Sequence, residues 1–394
     1  MRGTMTERPA GSGTWRLRVY VGRDGNGRPI QTSKTVHGIG KRVAEDRLRA
    51  FTKSVMASRR PERDATVGRL LERWMVHISA KAAPSTLSVY RYYLDKRILP
   101  DLGKVKLAKL DAELLDRTYA KWRKAGLADA TIRKHHNILA AALRRGVKWG
   151  WLERPPTLDA DPPGGSKRLS RVISTAEVQQ MIAVCRGGGV APDGRKRRPD
   201  MLLAMAITLA AVTGCRRGEL CALRWSDVAK ASSTVTVARS VSFVDGELYI
   251  GPTKTHQVRR MILDAQTMAV IGGWQAWQVG IAEKVGVPLD DDPYLLSLSP
   301  SADRPVLPTT LTQRFRRLMV FLGMPYHLHE TRHFAATTMI VAGVNVRQVA
   351  SRLGHSTPSL TLSTYAHVVD AADEAAASAL GSIHPALALA PPLF

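Results

Sequence analysis

The segment Asp161-Pro162-Pro163-Gly164-Gly165, with Pro155-Pro156 shortly before it, fits inside no helix and no inner strand. Proline has no amide hydrogen to donate and glycine loses the most backbone entropy on ordering. The chain is therefore expected to be cut there, with an exposed linker over 156–170 and a separate fold on each side. Its 394 residues are enough for two or three domains of roughly 100–200 residues each.

Before the linker the apolar pattern changes period once. Trp15, Leu17, Val19 and Val21 alternate with Arg16, Arg18 and Tyr20, as in a half-buried strand. Gly25-Asn26-Gly27 reads as a turn and Ile30 to Val36 as a second strand. A helix is expected from about Lys41, with Val43, Leu48, Phe51 and Val55 inward. Residues 1–61 thus read as a small sheet with one helix. The outward strand face carries Arg16 and Arg18, which suits either a DNA contact or a solvated basic surface.

Residues 64–155 read as all helix. Val67, Leu70, Leu71, Trp74 and Ile78 form one apolar stripe, and Pro84-Ser85-Thr86 opens a second helix with Leu87, Tyr90 and Leu94. A third runs from Glu113 to Lys124 and a fourth from Ala130 to Lys148, the latter with Ile132, Leu139 and Leu143 inward. Arg91, Lys121, Arg133, Lys134 and Arg144 stand among the bases on the outward faces, as expected of a bundle lying along a duplex.

The charge narrows the partners. Lys and Arg number 58 against 33 Asp and Glu, a formal net charge of +25. DNA, RNA and an anionic membrane surface would each match it, since every phosphate neutralised releases counterions. The longest apolar run, Met201 to Val212, falls well short of the ~20 residues that span a bilayer. No signal-peptide core follows Arg2, Glu7 and Arg8. Three cysteines, none in a C-x-x-C pair, point to a reducing cytoplasm without a disulfide framework.

Beyond the linker, Ser174-Thr175-Ala176-Glu177 has the form of a capping box, opening a helix with Val178, Met181, Ile182 and Cys185 inside. A loop over 186–199 is rich in Gly, Arg and Lys. A short antiparallel sheet is expected from Thr234 to Ala238, Val241 to Val244 and Glu247 to Ile250, and a helix from Ala371 to Leu380. Four signals follow in order: Thr213-Gly214-Cys215-Arg216-Arg217-Gly218-Glu219-Leu220; Lys254 just past the hairpin; His329-Glu330-Thr331-Arg332-His333; and Leu353-Gly354-His355 with Tyr365 ten residues later. Each alone has an ordinary structural reading, such as a helix cap, a surface ion pair or a buried phenol.

Together these residues resemble the tyrosine recombinase (phage integrase) family, in order and local context throughout 170–370. The resemblance implies that Arg216 and Arg332 are the two catalytic arginines, Lys254 the catalytic lysine, His329 and His355 the paired imidazoles, and Tyr365 the nucleophile. Arg259 and Arg260 are further bases close to Lys254. Residues 171–394 would be the catalytic domain, 64–155 a core-binding domain and 1–61 an arm-type DNA-binding domain, the last two only loosely alike. The fold implied is mixed α/β and multidomain. Its parts are a small sheet-plus-helix, a helical bundle, and a mainly helical catalytic domain with a small antiparallel sheet, the last two clamping duplex DNA.

The chemistry accounts for the residue types. Attack on a phosphodiester builds negative charge on the non-bridging oxygens, which two guanidiniums can hold by bidentate hydrogen bonds. A phenol of pKa about 10 needs a base or a positive field to attack. His329 could be that base, His355 a donor to phosphate, and Lys254 the acid that protonates the leaving 5′ hydroxyl. No cofactor is expected, and Asp227, Asp290, Asp291 and Asp292 make no convincing metal site. The partners implied are attachment-site DNA, a homotetramer, a directionality factor and a DNA-bending host protein, with no membrane, in the bacterial nucleoid. The apolar tail from Ile383 could dock on a neighbouring protomer or pack in cis. A type IB topoisomerase, a non-cutting DNA-binding regulator and a Xer-type housekeeping recombinase are the rival readings.

Overall fold

A computed structural model describes residues 3–23, 29–58, 65–164, 172–191 and 193–355, with 357, 359 and 362. The Gly25-Asn26-Gly27 turn, Tyr365, the Ala371–Leu380 segment and the tail from Ile383 lie outside the described residues. The chain divides into two units, Met1–Lys167 and Arg168–Phe394, and the division falls within the expected linker.

The first unit opens with strands β1 (Gly3–Glu7), β2 (Trp15–Arg23) and β3 (Pro29–Val36), antiparallel in the order β1-β2-β3. Trp15, Leu17 and Val19 are buried, Arg16 is exposed and Arg18 half-buried, as the alternation predicts. Helix α1 (Lys41–Ser58) covers the sheet. The expected stripe is corrected by one position. Val43 is exposed, and Ala44, Leu48 and Phe51, spaced by four and three, pack with Trp15 and Leu17.

The rest of this unit is helical: α2 (Val67–Ser79), α3 (Pro84–Tyr93), α4 (Leu99–Leu102), α5 (Ala112–Lys124) and α6 (Asp129–Lys148). Thr66 and Asp111 cap α2 and α5 by accepting from the amides of Arg69 and Leu114. Between α3 and α4 a π-helical turn, Leu94–Ile98, turns both of those apolar residues into the core. Trp122, Leu70, Leu115, Ile132 and Leu139 there are solvent-free, each such side chain contributing about 1.5–3 kcal/mol.

The first part of the expected linker is packed, not exposed. Pro155, Thr157, Ala160 and Pro163 are buried, and a 3-10 turn at Pro156–Leu158 lies against α5 and α6. The Asp161 amide donates to the Asp116 carboxylate at 2.8 Å, and the Arg133 guanidinium donates to the Pro163 and Pro162 carbonyls at 2.7 and 3.2 Å. Proline carbonyls that no helix uses are thereby satisfied from outside.

The second unit begins with α7 (Thr175–Gly187), capped reciprocally by Ser174 and Glu177. The loop that follows holds a two-residue hairpin, β4 (Gly189–Val190) with β5 (Lys196–Arg197). Helix α8 (Met201–Thr213) is buried on nearly every side, and α9 (Arg217–Ala222) follows. Strands β6 (Val228–Ala229), β7 (Thr234–Val237), β8 (Arg239–Val244), β9 (Glu247–Pro252) and β10 (Arg259–Ile262) come next. They form two sheets where one was expected: β10-β7-β6, and the separate hairpin β8-β9. Helices α10 (Ala265–Val285), α11 (Pro308–Leu322), α12 (Glu330–Val341) and α13 (Val346–Leu353) complete the described part. No helix among the described residues is long and apolar enough to cross a membrane.

Candidate active site

Four chain segments meet where α8 and α13 end. Each of those helices stops at a glycine in the left-handed conformation, Gly214 at φ +63° and Gly354 at φ +67°. A β-carbon on Gly214 would stand 2.5 Å from Leu353, so the two helix ends meet too closely for a side chain there.

Arg332, in the first turn of α12, is 3% exposed and spans the two ends. Its Nη1 donates to the Gly214 carbonyl and its Nη2 to the Leu353 carbonyl, both at 2.7 Å. Carbonyls at helix C-termini carry partial negative charge and receive a cation well. Arg216 precedes α9. Its Nη2 donates to the Gly354 carbonyl at 3.0 Å, its Nη1 to Glu219 at 2.9 Å, and its amide to the other Glu219 oxygen at 2.8 Å. Glu219 braces the Arg216 turn.

The imidazoles share this positive field. Burial, then His333, Arg332 and Arg216, lower His329 to about 4. Burial, then Arg332 and Arg216, likewise lower His355 to about 4. Both rings are neutral at neutral pH. The His333 ring packs edge-on against His329, with centroids 5.2 Å apart. Burial and Arg216 bring Arg332 down to about 10, which leaves it charged at neutral pH. The neighbouring Cys215 thiol is raised, by burial first and Glu219 second, and is no thiolate nucleophile.

The structure thus brings Arg216, Arg332, His329 and His355 together. Lys254 is exposed in the turn between β9 and β10. That turn is held by the Thr253 hydroxyl donating to the Gln257 carbonyl at 3.0 Å and by the His256 amide donating to the Thr253 carbonyl at 2.8 Å. The nearby bases differ in position. Arg259 turns inward, where Nη2 and Nη1 reach the two Glu219 oxygens at 2.7 and 3.2 Å, while Arg260 reaches Thr234 and Ser232. Sequence reasoning missed the role of Arg259. The signal available was its phase, since it shares the inward face of β10 with Met261.

Residues 171–372, half of the chain, match the phage integrase family, and residues 66–123 match its N-terminal SAM-like domain. The chain belongs to the phage integrase family of tyrosine recombinases. Among its relatives, a tyrosine recombinase XerC-like protein of Caldanaerobacter subterraneus subsp. tengcongensis is 24% identical over 375 residues, 90% of this chain and 92% of that protein. The Tn1549 transposon integrase in complex with transposon right end DNA has a similar fold, with TM-score 0.67, 20% identity, and coverage of 80% of this chain and 99% of that one. A lambda integrase tetramer bound to a Holliday junction gives TM-score 0.55 and 18% identity, over 89% of this chain and 92% of that one. Phage integrase homology thus covers both the helical bundle and the unit that holds the four grouped residues.

The basic residues expected to meet DNA in this recombinase differ in their freedom. Arg91, Lys134 and Arg144 are exposed, the last lining a groove with Trp74, Tyr90 and Lys148. Lys121 is exposed but paired with Asp101 at 2.5 Å. Arg133 is half-buried, and its guanidinium donates to the Pro162 and Pro163 carbonyls and so fixes the chain after α6.

Proposed function

We propose that this chain is a site-specific integrase that cleaves and rejoins DNA through a 3′-phosphotyrosyl link at Tyr365, integrating or excising a mobile element. The observation that carries the reading is the convergence of Arg216 and Arg332, each fixed by main-chain carbonyls, beside two neutral imidazoles. A phosphodiester seated between the guanidiniums would gain most when its oxygens carry the added charge of the five-coordinate state. Neutral His329 can accept the phenol proton, and neutral His355 can donate to a phosphate oxygen. A bound phosphate also offsets the arginine charges, which raises both imidazoles and makes His329 a stronger base. Exposed Lys254 can reach out of its turn to protonate the leaving 5′ hydroxyl. The strand is rejoined by the reverse steps, with the bond energy held in the tyrosyl ester.

The partner is double-stranded attachment-site DNA, to which the net charge of +25 is suited. Four protomers on paired sites, exchanging strands through a Holliday junction, follow the lambda integrase precedent. A directionality factor and a DNA-bending host protein complete the proposed assembly, working at the bacterial nucleoid. Residues 1–61 would serve as the arm-type domain, 64–155 as the core-binding domain and 171–394 as the catalytic domain. Tyr365→Phe tests the reading. It keeps the ring and removes the attacking oxygen, so the SDS-resistant protein–DNA adduct should disappear while binding survives. An adduct on the Phe variant would sink the assignment of the nucleophile.

A further inference from the structure

Glu219 is 1% exposed, and a buried carboxylate needs its acceptor sites filled. Four hydrogen bonds fill them: two from Arg216, through its amide and Nη1, and two from Arg259, through Nη1 and Nη2. Burial would push the Glu219 carboxyl up, but the Arg259 bonds and charge, with those of Arg216, hold it low. Among the described residues Cys215 and Arg332 also feel the Glu219 charge.

Arg259 reaches this place from the strand that follows the Lys254 turn and is itself 5% exposed. It packs directly beneath the Gly354 turn, where a β-carbon on that glycine would fall 2.4 Å from Nη1 and 2.8 Å from Cδ. Gly354 is the residue whose carbonyl receives Arg216, and His355 follows it. One guanidinium therefore touches both supports of Arg216, the carboxylate and the glycine turn. The charge count matters as much as the contacts. With Arg216 as its only cationic partner, Glu219 would cancel the charge meant for phosphate. With Arg259 added, the trio keeps one net positive charge and Arg216 is left to face the substrate.

We infer that Arg259 is a positioning residue for strand cleavage, acting through Glu219 and the Gly354 turn to set the place and charge of Arg216. The inference rests on the recombinase reading above. It makes no contact with DNA necessary for Arg259.

The test compares full-length wild type with Arg259→Met, which keeps bulk without charge, and Arg259→Lys, which keeps charge without the fork. Thermal melting and DNA affinity report folding. Adduct formation is timed at saturating protein, across pH, on a nicked duplex carrying the core site found by footprinting the DNA that flanks the gene. Wild type should form the adduct; if it does not, the recombinase reading itself fails and this inference falls with it. The Met variant should lose about 100-fold in adduct rate with affinity within about 3-fold of wild type. Lys should recover about 10-fold of that loss. The Met variant should also gain an acid inflection absent from wild type, as Glu219 takes a proton and releases Arg216. Rates for Met within about 3-fold of wild type, or Lys no better than Met, overturn the inference. If Met does not fold, Lys decides: a slowed rate with affinity kept supports it, while an unchanged rate or failure to fold overturns it.

Discussion

Arginine and lysine serve two regions of this molecule in opposite ways. At the candidate site Arg216, Arg259 and Arg332 are partly or wholly buried, and each is held by two or more fixed acceptors. On the outer faces of α3, α5 and α6 they are many and exposed, and the Lys121–Asp101 pair is open to solvent on the lysine side. Exposed pairs and single contacts contribute only about 0–1 kcal/mol, so affinity there must come from number. A desolvated guanidinium at a fixed place can instead favour one charge distribution over another. The difference separates binding from chemistry, and it can be broken experimentally.

The largest expected effect comes from Arg332→Ala. The adduct rate should fall by about 10³-fold or more while DNA affinity changes little, because many other phosphate contacts remain. Equal losses in both quantities would place Arg332 in general binding. Gly354→Ala should come next. The left-handed backbone and the 2.4 Å approach of Arg259 leave no space for a methyl group, so the turn must move. Cleavage should drop by about 10²-fold through the displaced Gly354 carbonyl, with a lower melting temperature. An unaltered rate would show that this carbonyl does not set Arg216.

Acidification should give a smaller, graded effect. His329 and His355 are held near 4 when folded, below the unfolded value of about 6.5. The unfolded chain therefore takes up protons first as pH falls. The stability these two residues contribute is intact above about 6.5 and is lost progressively toward about 4. Melts across that range should show the decline in wild type, reduced in a His329→Gln, His355→Gln double variant and countered by bound DNA. The smallest effect belongs to the outer surface. Lys134→Ala should weaken DNA binding by about 2- to 5-fold and lower the salt slope by about one unit, leaving the adduct rate at saturation unchanged. A cleavage defect at saturation would erase the distinction between the two regions.

What could be read from sequence follows the same division between local and distant causes. The stripes of α2, α6 and α7, the Ser174–Glu177 cap and the alternation of β2 are local patterns, and the fold keeps them. β1 went unread because Gly3–Glu7 has little apolar alternation and gains its place only by pairing with β2. β10 was missed for a similar reason, since its partner β7 lies across the whole β8-β9 hairpin. The Pro-rich run at 155–163 has the composition of a loose connector, yet Arg133 and Asp116 from α6 and α5 hold it down. Of the site, the order of motifs was legible. The partnership of Arg259 with Glu219 joins residues 40 positions apart, and the phase Arg259 shares with Met261 points inward without naming the partner.

The acceptors that hold Arg332 have a consequence for how such a site can be inherited. Both are main-chain oxygens, at Gly214 and Leu353, and every amino acid offers the same carbonyl. Gly214 is restricted by its left-handed turn and tight surroundings, but Leu353 could change identity without removing its half of the grip. The guanidinium is anchored to the path of the chain, not to particular side chains along it. A lineage can therefore rewrite most of its letters while the seat for this charge stays available wherever the two helices still end side by side.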